Sequence, residues 1–208
     1  MSKNKTNFLK IIALVTMLID HTGYLFFPEH VVFRLVGRIA FPLFAMLAVI
    51  GILHTRSPRA YKLRLLIAGI ISQIPYHFFI PGRFNVIVFF LMAVVALEHT
   101  TPKNPFPLLL GGVIAEVFEV SYGLYGMVMV WIFYRYLTTM DGGGFILGFL
   151  GLNLVFFVVT GNWVQIFSLL SLPFLYIPIK KDIRLPKALA YIFYPVHMTL
   201  LLLLDSWL

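Results

Sequence analysis

The sequence predicts an all-α, polytopic membrane helix bundle of about nine spans with no soluble domain. Three observations predict it. Of the 208 residues, 61% are hydrophobic and 12% charged, whereas a soluble domain runs nearer half and a quarter. Mean hydropathy is +0.95. Nine spans of about 20 residues use roughly 180, so only short connections remain. Lipid offers no partner for backbone N–H and C=O groups, so open-chain spans must be helical. This composition excludes a water-soluble enzyme, a disordered chain and a nucleic-acid-binding module.

The apolar segments run over 8–28, 33–54, 63–80, 84–98, 106–120, 122–138, 144–160, 163–179 and 187–206. The first is too long for a cleavable signal, carries Asp20 and His21, and is followed by no small-residue cleavage site. Pro28 closes it. The second carries Arg38 and stops before Ser57-Pro58. The third ends at Pro81-Gly82. The fourth and fifth are short, so one of them is expected to be tilted or partly inserted. They are divided by the stretch from Pro102 to Pro107, and Gly123 opens the sixth. Gly142-Gly143-Gly144 precedes the seventh, which carries Asn153. Gly161-Asn162 separates it from the eighth, and Pro186 precedes the ninth, which carries His197. No internal repeat is evident.

Orientation follows from Lys and Arg. With the N-terminus in the cytoplasm, thirteen cations fall inside: Lys3, Lys5, Lys10, Arg56, Arg59, Lys62, Arg64, Lys103, Arg135, Lys180, Lys181, Arg184 and Lys187. Only Arg34 and Arg83 fall outside, and Arg38 lies within a segment. The formal charge of +8 therefore reads as a topology signal facing anionic head groups, not as a nucleic-acid patch. The absence of cysteine removes disulfides, thiolate metal sites and a thiol nucleophile. No His, Asp and Glu set has convincing metal-ligand spacing.

Ionisable groups within hydrocarbon are costly and tend to face a bundle interior or a water-filled cavity, which makes them the functional markers here. His21 lies eleven residues beyond Lys10, His197 ten beyond Lys187, and Glu116 eleven beyond Pro105. A rise of about 1.5 Å per residue puts all three roughly 15–17 Å in, near the midplane. An imidazole is a natural proton acceptor near neutral pH. Asp20 adjoins His21 in sequence, but helix neighbours point about 100° apart. Asp20 is therefore expected to pair with Arg38, since a buried carboxylate needs a cation. Glu116, Glu119 and His197 remain the candidates to orient His21. Each intramembrane polar group also has a structural reading as helix–helix glue, Asn153 above all. The runs His54 to Arg64 and Lys180 to Lys187 read from charge alone as positive-inside signals, with a phosphate seat as the alternative.

The first 85 residues resemble the TraX family, the membrane proteins typified by the pilin N-acetylase of conjugative plasmids. The resemblance lies in Lys10-Ile11-Ile12-Ala13, Met17, Asp20-His21-Thr22-Gly23, and Gly37-Arg38-Ile39-Ala40-Phe41-Pro42-Leu43-Phe44-Ala45. It continues through Gly51, His54-Thr55-Arg56, Tyr61, Arg64-Leu65, Gln73-Ile74-Pro75-Tyr76 and Asn85, and returns in Tyr191-Ile192-Phe193-Tyr194-Pro195-Val196-His197. Such proteins in turn resemble, distantly, the acyltransferase-3 group and the lysosomal heparan glucosaminide N-acetyltransferase.

The resemblance implies transmembrane acetyl transfer in a bacterial cytoplasmic (inner) membrane. Acetyl-CoA is the donor and a membrane-presented amine the acceptor. His21 takes the catalytic place, and Asp20, Arg38, His197 and Glu116 complete the expected site. The donor phosphates are expected on Arg56, Arg59, Lys62 and Arg64, with Arg184 and Lys187 in support. No nucleic acid and no metal are expected. Two other functions suit a midplane polar layer: a proton-coupled transporter, and a non-catalytic assembly subunit whose polar layer a partner satisfies.

Overall fold

The computed structural model describes residues 1–179, 181–186 and 188–207. The α-helices are α1 (Lys3–Phe26), α2 (Val31–Gly37), α3 (Ala40–His54), α4 (Pro58–Phe79), α5 (Val86–Leu97), α6 (Phe106–Val117), α7 (Gly123–Thr139), α8 (Gly142–Thr160), α9 (Leu172–Tyr176) and α10 (Leu189–Asp205). A 3₁₀ helix covers Trp163–Ser171. The fold is all-α among the described residues, and each apolar segment of the sequence contains a helix. Two isolated bridges, Phe84 with Val120 and Thr101 with Asn104, are the extended pairings among the described residues.

The caps explain the boundaries. Ser2 Oγ accepts from Lys5 N–H at the start of α1, and Ser57 Oγ accepts from Ala60 N–H at α4, where Pro58 has no N–H to satisfy. Asn85 Oδ1 takes the N–H groups of Ile87 and Val88 to begin α5. Asp141 Oδ1 takes that of Gly144 to begin α8.

Among the described residues three helices are long and apolar enough to cross a bilayer: Lys3–Phe26, Val31–His54 and Gly142–Thr160. The second is α2 and α3 read through a local break at Arg38-Ile39. Helices α5 and α6 have 12 residues each and rise only about 18 Å, short of a hydrocarbon core of about 30 Å. The expectation that one of these two would be incomplete thus applies to both as straight helices. Helix α4 presents an apolar face outward: Ile70, Ile74 and Phe78 are 63%, 69% and 69% exposed. Its other face, with Leu65, Ala68, Tyr76 and Phe79, is buried. An outward apolar stripe of this length suits lipid, not water.

The chain divides into two compact units, Met1–Leu47 with Asn153–Leu208, and Ala48–Leu152. In the first unit α1 packs on α2 and α10, and Leu9, Ala13, Ile39 and Leu43 form a core with Phe8, Ile12, Phe44, Phe174 and Leu175 around it. The α1–α2 approach is close because Gly23 lacks a Cβ, which would overlap Phe33. The end of α9 is held by Lys5, whose Nζ donates to the carbonyls of Phe174 (2.6 Å) and Ile177. Asn7 Nδ2 donates to the Ile183 carbonyl at 2.7 Å. Lys5 therefore works inside the fold as a cation at a helix C-terminus, besides its place in the charge count.

In the second unit α4 packs on α5, α5 on α6, and α6 on α7. Asn85 is fully buried and ties α4 to the start of α5, its Nδ2 donating to the Gly69 carbonyl and to Gln73 Oε1, each at 2.8 Å.

Candidate active site

The site is built in the first unit, from α1, α2, the 3₁₀ helix and α10. His21 Nδ1 lies 2.7 Å from His197 Nε2. The two rings are 7° from parallel with centroids 5.0 Å apart. That separation is close to the N···N distance plus two ring radii, so the rings meet edge to edge in a common plane and do not stack. His197 Nδ1 is 2.7 Å from the Phe193 carbonyl oxygen, one helical turn back.

These contacts assign the protons. A carbonyl can only accept, so His197 Nδ1 donates to Phe193. The neutral His197 ring then has its lone pair on Nε2, and His21 Nδ1–H donates to it. His21 in turn has its lone pair on Nε2. His197 is buried at 4% exposure, flanked by Phe193 (centroids 4.9 Å) and Tyr194 (5.8 Å). His21 is only partly buried, so a reactant is not excluded from it. His197, one of the candidates to orient His21, is hydrogen-bonded to it.

Beside this pair is a charge cluster. Asp20 Oδ2 lies 2.9 Å from Arg34 Nη1, and Asp20 Oδ1 lies 3.5 Å from Arg38 Nη2. Arg38 Nη1 donates to Gln165 Oε1 at 3.2 Å, and its Nε to the Arg34 carbonyl at 3.3 Å. The expected Asp20–Arg38 pair is present, but Arg34 makes the closer contact. Charge counting had placed Arg34 among the outer-loop cations. The spacing of Arg34 and Arg38 (four residues, one face of a helix) was the available signal. Gly37 is what admits the carboxylate: a Cβ there would overlap Asp20. The break after α2 is tightened by i→i−3 bonds from Arg38 N–H to Leu35 and Ile39 N–H to Val36.

Gln165 was not anticipated either. It lies on the 3₁₀ helix with Ser168 and Ser171, and all three are buried. A spacing of three with three residues per turn puts them on one face. Ser168 Oγ donates to Asn153 Oδ1 at 2.8 Å, which gives Asn153 a tie between helices.

Helix α1 begins at Lys3, and His21 is five residues from its end at Phe26, about 8 Å along the axis, while its partner His197 is midway along α10. Glu116, expected beside a histidine, serves in the second unit as a cap: its Oε1 accepts from Leu124 N–H at 2.8 Å, at the start of α7. A Cβ on Gly123 would overlap that carboxylate. Glu119 is a turn residue at φ 51°, its carbonyl accepting from Phe84 N–H.

Of the cations expected to hold a donor, Lys62 is engaged by Glu98 at 2.7 and 2.8 Å. Arg184 pairs with Asp182 at 2.9 Å. Lys187 lies outside the described residues. Arg64 lies over the Tyr61 ring, 5.9 Å from its centroid. Arg56 and Arg59 are exposed on either side of the capped start of α4, in no ion pair among the described residues. Among the described residues no cluster of three potential ligands could hold a metal ion.

Comparison with known proteins adds the following. A family model described as "TraX protein" matches residues 5–205. The "Probable fimbrial assembly protein FimC, serogroup H1" of Dichelobacter nodosus is 29% identical over 225 residues, which covers 93% of this chain and 92% of that one. "Protein TraX" of Escherichia coli is 29% identical over 149 residues, covering 67% of this chain and 59% of its own. An uncharacterized protein of Rickettsia prowazekii (strain Madrid E) is 41% identical over 76 residues, covering 35% of this chain and 29% of its own. No solved structure matches.

Proposed function

The chain belongs to the TraX family, and from that premise we propose that it is an integral-membrane acetyltransferase, moving an acetyl group from cytoplasmic acetyl-CoA to a peptide or protein N-terminal amine at the membrane or its outer face. The observation that carries the reading is the chain from the Phe193 carbonyl through His197 to His21, which puts the lone pair on His21 Nε2. The name of the Dichelobacter relative, a fimbrial assembly protein, supports a pilin-like peptide as the acceptor.

The reaction balances without a cofactor beyond the donor. The neutral amine attacks the thioester carbonyl as His21 Nε2 takes its proton, so a C–N bond forms and the C–S bond breaks. The imidazolium is stabilised through Nδ1–H by the His197 acceptor, in the part a carboxylate plays in other triads. The proton then passes to the departing thiolate, giving the N-acetyl product and free CoA. Asp20, Arg34 and Arg38 hold the α1–α2 pair that carries His21. The exposed Arg56 and Arg59, with Arg64, suit the donor's phosphates, since guanidinium forks and a helix start both favour polyanions.

The test follows thiol release when purified protein meets acetyl-CoA and an N-terminally free peptide, with mass spectrometry on the peptide. Wild-type protein is expected to yield one acetyl group per thiol. His21→Ala turning over at the wild-type rate would remove this mechanism.

A further inference from the structure

We propose that the site selects acceptor peptides that carry an acidic side chain within a few residues of the reacting amine, and that Arg34 binds its carboxylate. The proposal rests on the acetyl-transfer reading for the amine and on the charge cluster for the acid.

Among the described residues two guanidinium groups, Arg34 and Arg38, meet one carboxylate, Asp20. One carboxylate is therefore shared by two guanidiniums. The side chains of Asp20 and Arg38 are 14% and 13% exposed, so Arg34 holds only part of a carboxylate where water screens poorly, and a second anion on it is well answered.

The two arginines are not equivalent. Arg38 directs Nε to the Arg34 carbonyl, Nη1 to Gln165 and Nη2 to Asp20, which leaves it a fixed strut. Arg34 uses Nη1 alone, on the carboxylate and carbonyl of Asp20. Its Nε and Nη2 make no hydrogen bond among the described residues, and its side chain is 31% exposed. Its guanidinium carbon lies over the Tyr24 ring, 5.3 Å from the centroid, which restrains the group. An oriented fork with donors in reserve, at the accessible edge of a positive site, is the form that recognises a carboxylate.

Proximity ties that anion to the acceptor. Arg34 holds Asp20, the residue next to His21, and the His21 ring lies within electrostatic reach of both guanidiniums. A carboxylate on Arg34 therefore brings the amine a few bonds away toward His21. A lipid phosphate could engage the same fork, but it would bring no peptide amine with it.

The experiment measures binding without donor, by fluorescence anisotropy, of two C-terminally labelled peptides that differ only in Glu or Gln at the second position. Wild-type protein in neutral detergent should bind the Glu peptide about tenfold more tightly or better, the worth of one charge-assisted pair. Arg34→Gln should bind the two alike, and Arg34→Lys should keep part of the preference. Equal binding by the wild type, or a preference that survives Arg34→Gln, overturns the proposal. Displacement of both peptides by phosphatidylglycerol micelles in wild type but not in Arg34→Gln, with no Glu preference, assigns Arg34 to lipid and overturns it too. Glu-selective binding lost in Arg34→Gln, with no thiol release on adding acetyl-CoA, retires the acetyl-transfer reading and upholds anion selection.

Discussion

His21 and His197 form one in-plane hydrogen bond of 2.7 Å, and the far nitrogen of His197 is fixed by a backbone carbonyl of its own helix. The orientation of the proposed base thus depends on α10. Replacing His21 by Ala is expected to lower kcat by about 10²–10⁴-fold, the usual worth of a positioned general base. His197→Ala should also lower kcat, by about 10²-fold, with little change in KM for acetyl-CoA. His197→Gln should recover part of the loss, because its amide oxygen can accept the same Nδ1–H. Steady-state thiol-release kinetics on the three variants check this. A purely structural His197 would give equal losses in Ala and Gln.

Asp20 faces two guanidiniums, so removing its charge takes from both the carboxylate they share. Asp20→Asn is expected to destabilise the protein by about 3–5 kcal/mol, the usual penalty for breaking a buried pair from one side. In detergent this should lower the apparent Tm by roughly 2–4 °C per kcal/mol. The double variant Asp20→Asn with Arg34→Gln should lose less than the sum of the single variants, since it also removes one of the two cations that faced the carboxylate. Thermal unfolding of the four proteins closes the cycle. Strict additivity would mean the Arg34–Asp20 contact at 2.9 Å contributes little.

How far these features were legible in the sequence depends on the signal each one leaves. Hydropathy and Pro/Gly punctuation located the helical segments, because lipid forces apolar runs to be helical. Hydropathy does not separate 3.0 from 3.6 residues per turn, so the 3₁₀ stretch read as an ordinary span; only the triplet spacing of Gln165, Ser168 and Ser171 marked it. The break at Arg38-Ile39 lies between Gly37 and Pro42, but a lone glycine and a proline in the first turn of the next helix are both compatible with one continuous apolar segment. Counting from Lys10 did not show that α1 extends to Lys3, with Lys5 bonded inside the fold. The Asp20–Arg38 pairing was readable, since a buried carboxylate demands a cation. Arg34 was not, because a charge count assigns a side without asking what the side chain touches. Glu116 misled for the same reason: a carboxylate at a helix end has a local use, here the Leu124 N–H.

Gly37 is the contact point between α2 and the Asp20 carboxylate, and any Cβ there must displace one of them. Gly37→Ala is expected to cost about 1–3 kcal/mol, as overpacking does. Because Asp20 precedes His21, the shift should also lower kcat. Gly151→Ala is the control: a Cβ there meets nothing within 4 Å. Parallel Tm and kcat measurements on the two variants separate a local displacement from a general intolerance of alanine. Equal behaviour of the two would show that Gly37 can yield without moving Asp20.

The basic turn before α4 offers a contrast among neighbouring cations. Lys62 is bound on both oxygens of Glu98, whereas Arg56 and Arg59 are exposed around the cap at Ser57. If the turn holds the donor's phosphates, Arg56→Ala with Arg59→Ala should raise the KM for acetyl-CoA about tenfold or more, as loss of charge-assisted bonds does. Raising the salt should weaken donor binding to wild type more than to the double variant, because exposed charges are screened. Lys62→Ala should leave that KM nearly constant and cost at most about 1 kcal/mol of stability, the worth of a partly exposed pair. Donor-dependence curves at two ionic strengths check both arms. A KM that rises for Lys62→Ala and stays fixed for the arginine pair would move the phosphate seat off the start of α4.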